Sequence, residues 1–343
     1  MQVRLSKPSD DAARDEYVLS HERGTFFHLA GWGRVVERIM RHRRSDWLAF
    51  EGDALVGVLP LSVCRSLRGK RNLISVPYGV YGGAVGRDRD VEAALFRAAE
   101  SQAIDLGAGR LELRCLDDPG LDLPASDLYA TFLQELPSDP AQVLAGMPKK
   151  ARADARKGRE KFDLRLVEGR WYLDDLVRLF HQNKRSLGSP GLPLSWFRAL
   201  LEEFSDRVAV HQVRRADRPL TGVLSFLFRD QVLAYYSGSD EGADREFKAS
   251  NFQYMALQEW SIEQGYRIFD FGRSRKDSGA FRFKMHQGFA PRDLHYRFRL
   301  VTDTELPSLN PSNPKTHKLQ AAWRRLPLAL TRSLSTPASR FLP

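Results

Sequence analysis

The sequence predicts an α/β fold of the mixed α+β kind: two tandem units, each a mixed sheet flanked by helices, followed by a basic C-terminal tail. Three observations carry this. A strand–turn–strand pattern occurs twice. A helix–glycine–strand pattern also occurs twice, in the same order. The excess positive charge is confined to two short stretches outside these repeats.

In the first half, Trp47–Phe50 and Ala54–Leu59 flank a Glu-Gly-Asp turn, and the string L-x-G-V-L begins at Leu55. In the second half, Val208–Val213 and Pro219–Leu224 flank a polar stretch, and the same string begins at Leu220. Apolar runs on either side of a glycine- or aspartate-rich turn read as hairpins. The second echo follows each hairpin. Residues 91–106 form an amphipathic helical pattern ending at Gly107, then the strand Leu111–Cys115. Residues 250–264 end at Gly265 and lead to the strand Arg267–Phe271. Glycine just past a helical pattern supplies the left-handed residue that ends a helix. Two echoes in one order imply a tandem duplication.

Other elements fill the frame. A strand is expected at Tyr129–Leu133, a basic helical stretch at 140–161 and a strand at 163–167. Helices follow near 171–187 and 194–204, then a hairpin at 219–237. A last strand, Leu294–Leu300, is expected to close the second half. The expected division is an N-terminal unit 1–145, a basic helical connector 146–162, a C-terminal unit 163–303 and a Pro/Ser-rich basic amphipathic tail 304–343.

The 343 residues carry 53 Lys+Arg against 43 Asp+Glu, a net charge of +10. Residues 148–161 account for +5, and the acid-free stretch 306–343 for +6, so the remaining body is nearly neutral. At 42% hydrophobic and 28% charged, the chain is neither disordered nor an integral membrane protein. It has no apolar run of about 18 residues and no apolar leader at its start. The expected location is the cytoplasm, with peripheral contact at the inner face of the membrane. Two cysteines, Cys64 and Cys115, exclude a disulfide scaffold and a cysteine-based metal site. No metal site is expected.

Several segments carry chemistry. Val76–Gly83 sets Tyr78 and Tyr81 among glycines, which suits either a ligand-approaching loop or a plain turn. Tyr235–Ser239 ends a strand, where one tyrosine faces the core and the other is available to a cleft. Phe269–Arg275 places Asp270, Arg273 and Ser274 at a strand's carboxyl end, where open α/β sheets bind ligands. Asp270 reads as a base or an orienting group, and Arg273 as a holder of carboxylate or phosphate. Lys284 sits between aromatics in Phe281–Phe289, where a cation could meet developing negative charge. Asn183–Arg185 ends a helix, where cations satisfy the dipole or reach an anion. The pair His42 and Asp46 lacks the glycine of acyl-condensing enzymes and reads as an exposed helix. The phosphate loop G-x-x-x-x-G-K-[ST] and the nucleophile elbow G-x-S-x-G do not occur. The [QR]-x-x-G-x-[GA] loop of ordinary acetyltransferases is also missing.

These residues, in this order, resemble the FemAB-like aminoacyl/acyltransferases of the GNAT superfamily. The nearest branch is the one associated with exosortase/PEP-CTERM and exopolysaccharide clusters, with a BioF2-like acetyltransferase domain. The resemblance covers about residues 20–302. It rests on F-F-H-L-A-G-W at Phe26–Trp32, V-P-Y-G-V-Y-G-G at 76–83, P-K-K-A-R at 148–152 and L-G-S-P at 187–190. Asn251, F-D-F-G-R-S at 269–274, Phe283-Lys284 and Gly288-Phe289 complete it. It implies two tandem GNAT-like domains and transfer of an activated acyl or aminoacyl group to an amine of a cell-envelope precursor, of peptidoglycan or exopolysaccharide type. No cofactor is held permanently; the co-substrate would be aminoacyl-tRNA or acyl-CoA. By resemblance Lys284 stabilises charge at the reacting end, with Asp270 second to it. Trp32, Tyr78, Tyr81, Arg185, Tyr236, Asn251, Arg273 and Ser274 would bind substrate. The rival readings are an acyl-CoA-dependent N-acetyltransferase and a nucleic-acid-binding protein using the 148–161 helix. Partners expected are the amine-bearing precursor and tRNA, with no DNA. In the tail, Leu319, Trp323, Leu326 and Leu330 recur at helical spacing beside basic residues, and Pro327 interrupts them. That pattern suits an anionic membrane surface touched through residues 313–343, or a helix docked on the protein itself.

Overall fold

The computed structural model describes residues 1–67, 69–307 and 314–343. It divides the chain into two units. The first comprises residues 1–128, 293–310 and 337–343; the second comprises 129–292 and 311–336. Both are mixed sheets flanked by helices, as the sequence predicts.

The first unit holds two sheets. One orders Gln2–Leu5, Trp47–Glu51, Ala54–Leu59 and Val85–Gly86. The other orders Arg43–Arg44, Ser62–Arg65, Arg71–Ile74, Arg110–Cys115, His295–Leu300 and Ala125–Ser126. Helix Arg89–Asp105 is N-capped by Asp88, which accepts from the Val91 amide. It buries Val91, Leu95, Ala99 and Ala103 against Leu59, Leu73 and Leu111. That spacing is one face of a helix.

The second unit is built on one six-stranded sheet. Its order is Leu133–Glu135, Ile268–Asp270, Gln231–Ser239, Arg218–Phe228, Val208–Arg215 and Arg165–Glu168. Alternate residues point to opposite faces of a strand. Gly222 thus meets Leu176 of helix Leu173–Ser186, while Val223 joins a core with Leu257 of helix Ala249–Glu263. Helices cover both faces.

Both echoes correspond to equivalent elements. The helices Arg89–Asp105 and Ala249–Glu263 lead through left-handed Gly107 and Gly265 to the strands Arg110–Cys115 and Ile268–Asp270. Each of those strands runs parallel to a strand that lies before its helix in the chain, Arg71–Ile74 in one unit and Gln231–Ser239 in the other.

The expected boundaries need correction. The strand His295–Leu300 does not close the second half; it pairs antiparallel with Arg110–Cys115 in the first unit. The place beside Ile268–Asp270 is taken by Leu133–Glu135, expected in the first half. The boundary expected at 145 therefore falls at 128, and the one expected at 303 falls near 292. The stretch 146–162 is no free connector. Helix Lys149–Glu160 buries Ala151, Ala155 and Gly158, and a Cβ on Gly158 would meet Phe252 of helix Ala249–Glu263 at 2.8 Å. Its lysines and arginines point outward, as a solvated basic face.

The tail forms helices Pro314–Arg325 and Leu328–Ser339, broken at Pro327 as expected. Residues 308–313 of the expected tail lie outside the described residues. Among the described residues no helix is long and apolar enough to cross a membrane. His42 and Asp46, expected on an exposed helix, are buried. Asp46 is ion-paired with Arg14 and Arg44, and His42 bonds the Tyr78 hydroxyl at 3.0 Å. Cys64 and Cys115 are buried free thiols in strands.

Candidate active site

In the second unit, Gln231–Ser239 and Ile268–Asp270 run parallel for three residue pairs, the last being Leu233 with Asp270. The second strand then ends, while the first continues to Ser239. A register shift opposite Leu224–Ser225 places a bulge at Tyr235, since Leu224 faces Tyr236 and Ser225 faces Ala234. Bulges re-aim side chains and end pairing beside functional sites. The two strands therefore part at the carboxyl end of the parallel pair.

Asp270 stands at that end with no exposed surface. Its Oδ1 accepts the Gly272 amide at 2.6 Å and the Thr131 hydroxyl at 3.4 Å; its Oδ2 accepts the Gln231 amide at 3.0 Å. A carboxylate with this many donors is fixed in place, so of its two expected roles the geometry favours the orienting one. What it orients is the turn Phe271–Arg273, where Gly272 takes φ +70°.

That turn holds Lys284. Helix Gly279–His286 is N-capped by Ser278, and Lys284 is its one buried residue. The ammonium donates to the Gly272 carbonyl at 2.7 Å and the Arg273 carbonyl at 3.3 Å. It also lies 5.4 Å from the Phe132 ring centre and 5.3 Å from that of Phe271. Burial pushes its amine down to about 7, with Asp270 pulling it up and Arg273 pushing it further down. The Arg273 charge, after burial, also lowers Lys184. Arg273 stacks over the Tyr129 ring at 4.5 Å. Ser274, 6% exposed, has a buried hydroxyl without a hydrogen-bond partner.

A cavity of about 880 Å³ opens next to Phe283, lined also by Asn183, Arg185, Ser239 and Asn251. Asn251 accepts from Gln287, at the end of the Lys284 helix, at 2.5 Å. Arg185 donates to the Arg324 carbonyl at 3.3 Å. Gln182, on the same cavity, has a buried carbonyl oxygen with no partner. Tyr236 takes the core-facing position of its pair. It is 7% exposed and its hydroxyl accepts the Trp196 indole N–H at 3.1 Å. It forms the floor beneath the bulge.

Lys284, Asp270, Arg273 and Ser274 are thus brought together, and Arg185 and Asn251 share one cavity. Trp32, Tyr78 and Tyr81 belong to the first unit. Trp32 is buried and donates to the Pro77 carbonyl at 3.0 Å. Tyr78, at φ +64°, donates to the Ser339 carbonyl at 3.1 Å. Tyr81 is 2% exposed and borders a separate cavity of about 480 Å³ with His28 and Cys115. Burial drives His28 down to about 3 and Cys115 up to about 12, so neither is charged there near neutral pH. Thr131, Gln231 and Gln287 were not singled out from the sequence. Each acts through a partner distant in the chain, for which local pattern holds no signal.

Residues 147–285 match the acetyltransferase (GNAT) domain, and the chain is an acyltransferase of GNAT fold. Solved structures of similar architecture extend the likeness of fold over nearly the whole chain. FemX has 12% identity and a TM-score of 0.66, over 88% of this chain and 98% of its own. A tandem GNAT protein from the clavulanic acid biosynthesis pathway has 13% identity and a TM-score of 0.52, over 89% and 100%. The L-PGS of Bacillus licheniformis has 12% identity and a TM-score of 0.53, over 94% and 99%. No curated protein matches the chain.

Proposed function

We propose that this chain moves an activated acyl or aminoacyl group onto an amine of a cell-envelope precursor, with Lys284 at the reacting end. The observation that carries the reading is Lys284 itself, a buried cation on the turn where two parallel strands part. Attack by the amine forms a C–N bond at the acyl carbon and places negative charge on the acyl oxygen. Collapse then breaks the bond to the carrier, which leaves with the electron pair and takes up the proton that the amine nitrogen gives up. A preorganised cation in a low-dielectric site stabilises that oxyanion. Two of the ammonium's hydrogens are committed to carbonyls, and a third is left for the acyl oxygen. Asp270 is a positioning residue that fixes the turn presenting Lys284. Arg185 and Asn251 line the neighbouring cavity, and Arg273 and Ser274 belong to the stretch that holds Lys284.

Arg273 bears electrostatically on both Lys184 and Lys284, so three cations share one region. That favours a donor carrying phosphate, which both aminoacyl-tRNA and acyl-CoA do. The envelope acceptor rests on likeness of fold to FemX and to a lysylphosphatidylglycerol synthetase. An acceptor screen with charged tRNA against acyl-CoA, run on wild type and Lys284→Ala, tests the reading. Amide product with one donor, lost in the variant, supports it. No product with either donor, or equal product from both proteins, overturns it.

A further inference from the structure

We infer that the C-terminal helices are a docking surface for an anionic bilayer. This goes beyond the acyl-transfer reading and does not depend on it, because binding requires no turnover.

The helix Leu328–Ser339 is oriented contrary to the usual pattern of a docked helix. A helix lying on its own protein turns its apolar face inward. Here the buried positions are hydroxyls: Thr331 at 2% exposure and Ser335 at 1%. The Ser335 hydroxyl accepts the Gly191 amide at 3.0 Å, and the Thr331 hydroxyl donates to the Leu328 carbonyl at 2.9 Å. Two of its three leucines are left outside. Leu330 is 44% and Leu334 41% exposed, one helical turn apart on a shared face. Leu319 on the preceding helix is 72% exposed.

Charge decides what covers this face. Lys318, Arg325 and Arg332 are exposed on the same two helices, and no acidic residue occurs from 306 to 343. A protein partner would have to supply both an apolar patch and several carboxylates. An anionic bilayer supplies hydrocarbon and negative charge together, and basic helices with leucines on one side partition to its interface. Half-buried Trp323 is of a residue type that favours this depth.

Vesicle flotation of the full chain tests the assignment, using phosphatidylglycerol/phosphatidylcholine vesicles against pure phosphatidylcholine. Wild type is expected to float with the anionic vesicles and to be released by salt. Leu330→Gln/Leu334→Gln should reduce partitioning at least tenfold. Lys318→Gln/Arg325→Gln/Arg332→Gln should reduce it roughly fivefold per cation removed. These side chains are exposed, so melting temperature should stay at the wild-type value. Absence of flotation with anionic vesicles, or equal flotation of the variants, overturns the proposal. A solution dimer that the leucine variant dissolves would also overturn it, by giving the face to a second copy of the chain.

Discussion

The two units end the same parallel strand pair in opposite ways. In the first unit, the strand Arg71–Ile74 runs into the loop 75–83, which folds back over the end of Arg110–Cys115. The Ser75 amide bonds the Glu112 carbonyl at 2.9 Å, and the Gly82 amide bonds that of Arg114 at 2.6 Å. The cation there, Arg114, is neutralised internally: it pairs with Glu112 at 2.9 Å and donates to the Gly79 carbonyl at 3.3 Å. Burial alone would raise the Glu112 carboxyl, but Arg114 and Arg110 together hold it below the usual range. In the second unit, the strand continues past its partner and the buried cation Lys284 is held by carbonyls. One duplicated frame has been closed by its own loop and the other left open. Burial of a cation is common to both; what differs is whether a carboxylate is bonded to it.

That contrast can be broken by substitution. The largest effect is expected at Arg114→Met. Removing it strips the buried Glu112 of its main partner and should cost about 3–5 kcal/mol, read by denaturant unfolding. Lys284→Met should show the reverse pattern. Turnover falls about 10²–10³-fold, as on removing an oxyanion donor, while the melting temperature moves by only a few degrees. Asp270→Asn keeps the shape but sets an amide against the Gly272 and Gln231 donors. It should cost about 1–3 kcal/mol and lower turnover less than Lys284→Met does. The smallest effects sharpen the comparison at glycine. A Cβ on Gly82 would sit 2.4 Å from both Cγ atoms of Val76, so Gly82→Ala should cost about 1–3 kcal/mol. At Gly272 a Cβ meets nothing closer than 3.6 Å, and Gly272→Ala carries only the strain of φ +70°, about 1–2 kcal/mol.

Much of the frame was legible in the sequence because it is local. Hairpins, helix periodicity and the terminating glycines at Gly107 and Gly265 are set by neighbours within a few residues. The closing strands were not legible. His295–Leu300 reads as a strand in either unit, and only its pairing with Arg110–Cys115 decides which. The site divided on the same principle. The segments Asp270–Ser274 and Phe281–Phe289 showed charged residues set among aromatics, and Lys284 stood out. Thr131 and Gln231, which hold Asp270, reach it only through sheet order. Trp32, Tyr78 and Tyr81 illustrate the converse. Aromatics among glycines suit a ligand loop or a self-packed one, and here Trp32 and Tyr78 bond main-chain carbonyls of their own unit.

The central claim is that Lys284 acts as a cation, and the pH dependence of acyl transfer tests it most directly. The acceptor amine should already be neutral across the range, so that its own titration does not intervene. With the Lys284 amine lowered to about 7 by burial, the active ammonium is lost as pH rises through that value. In wild type kcat/KM is expected to fall on the alkaline side of about 7, and Lys284→Met should be slow with no such limb. A rate that instead rises through 7, or a limb that survives the substitution, would contradict it.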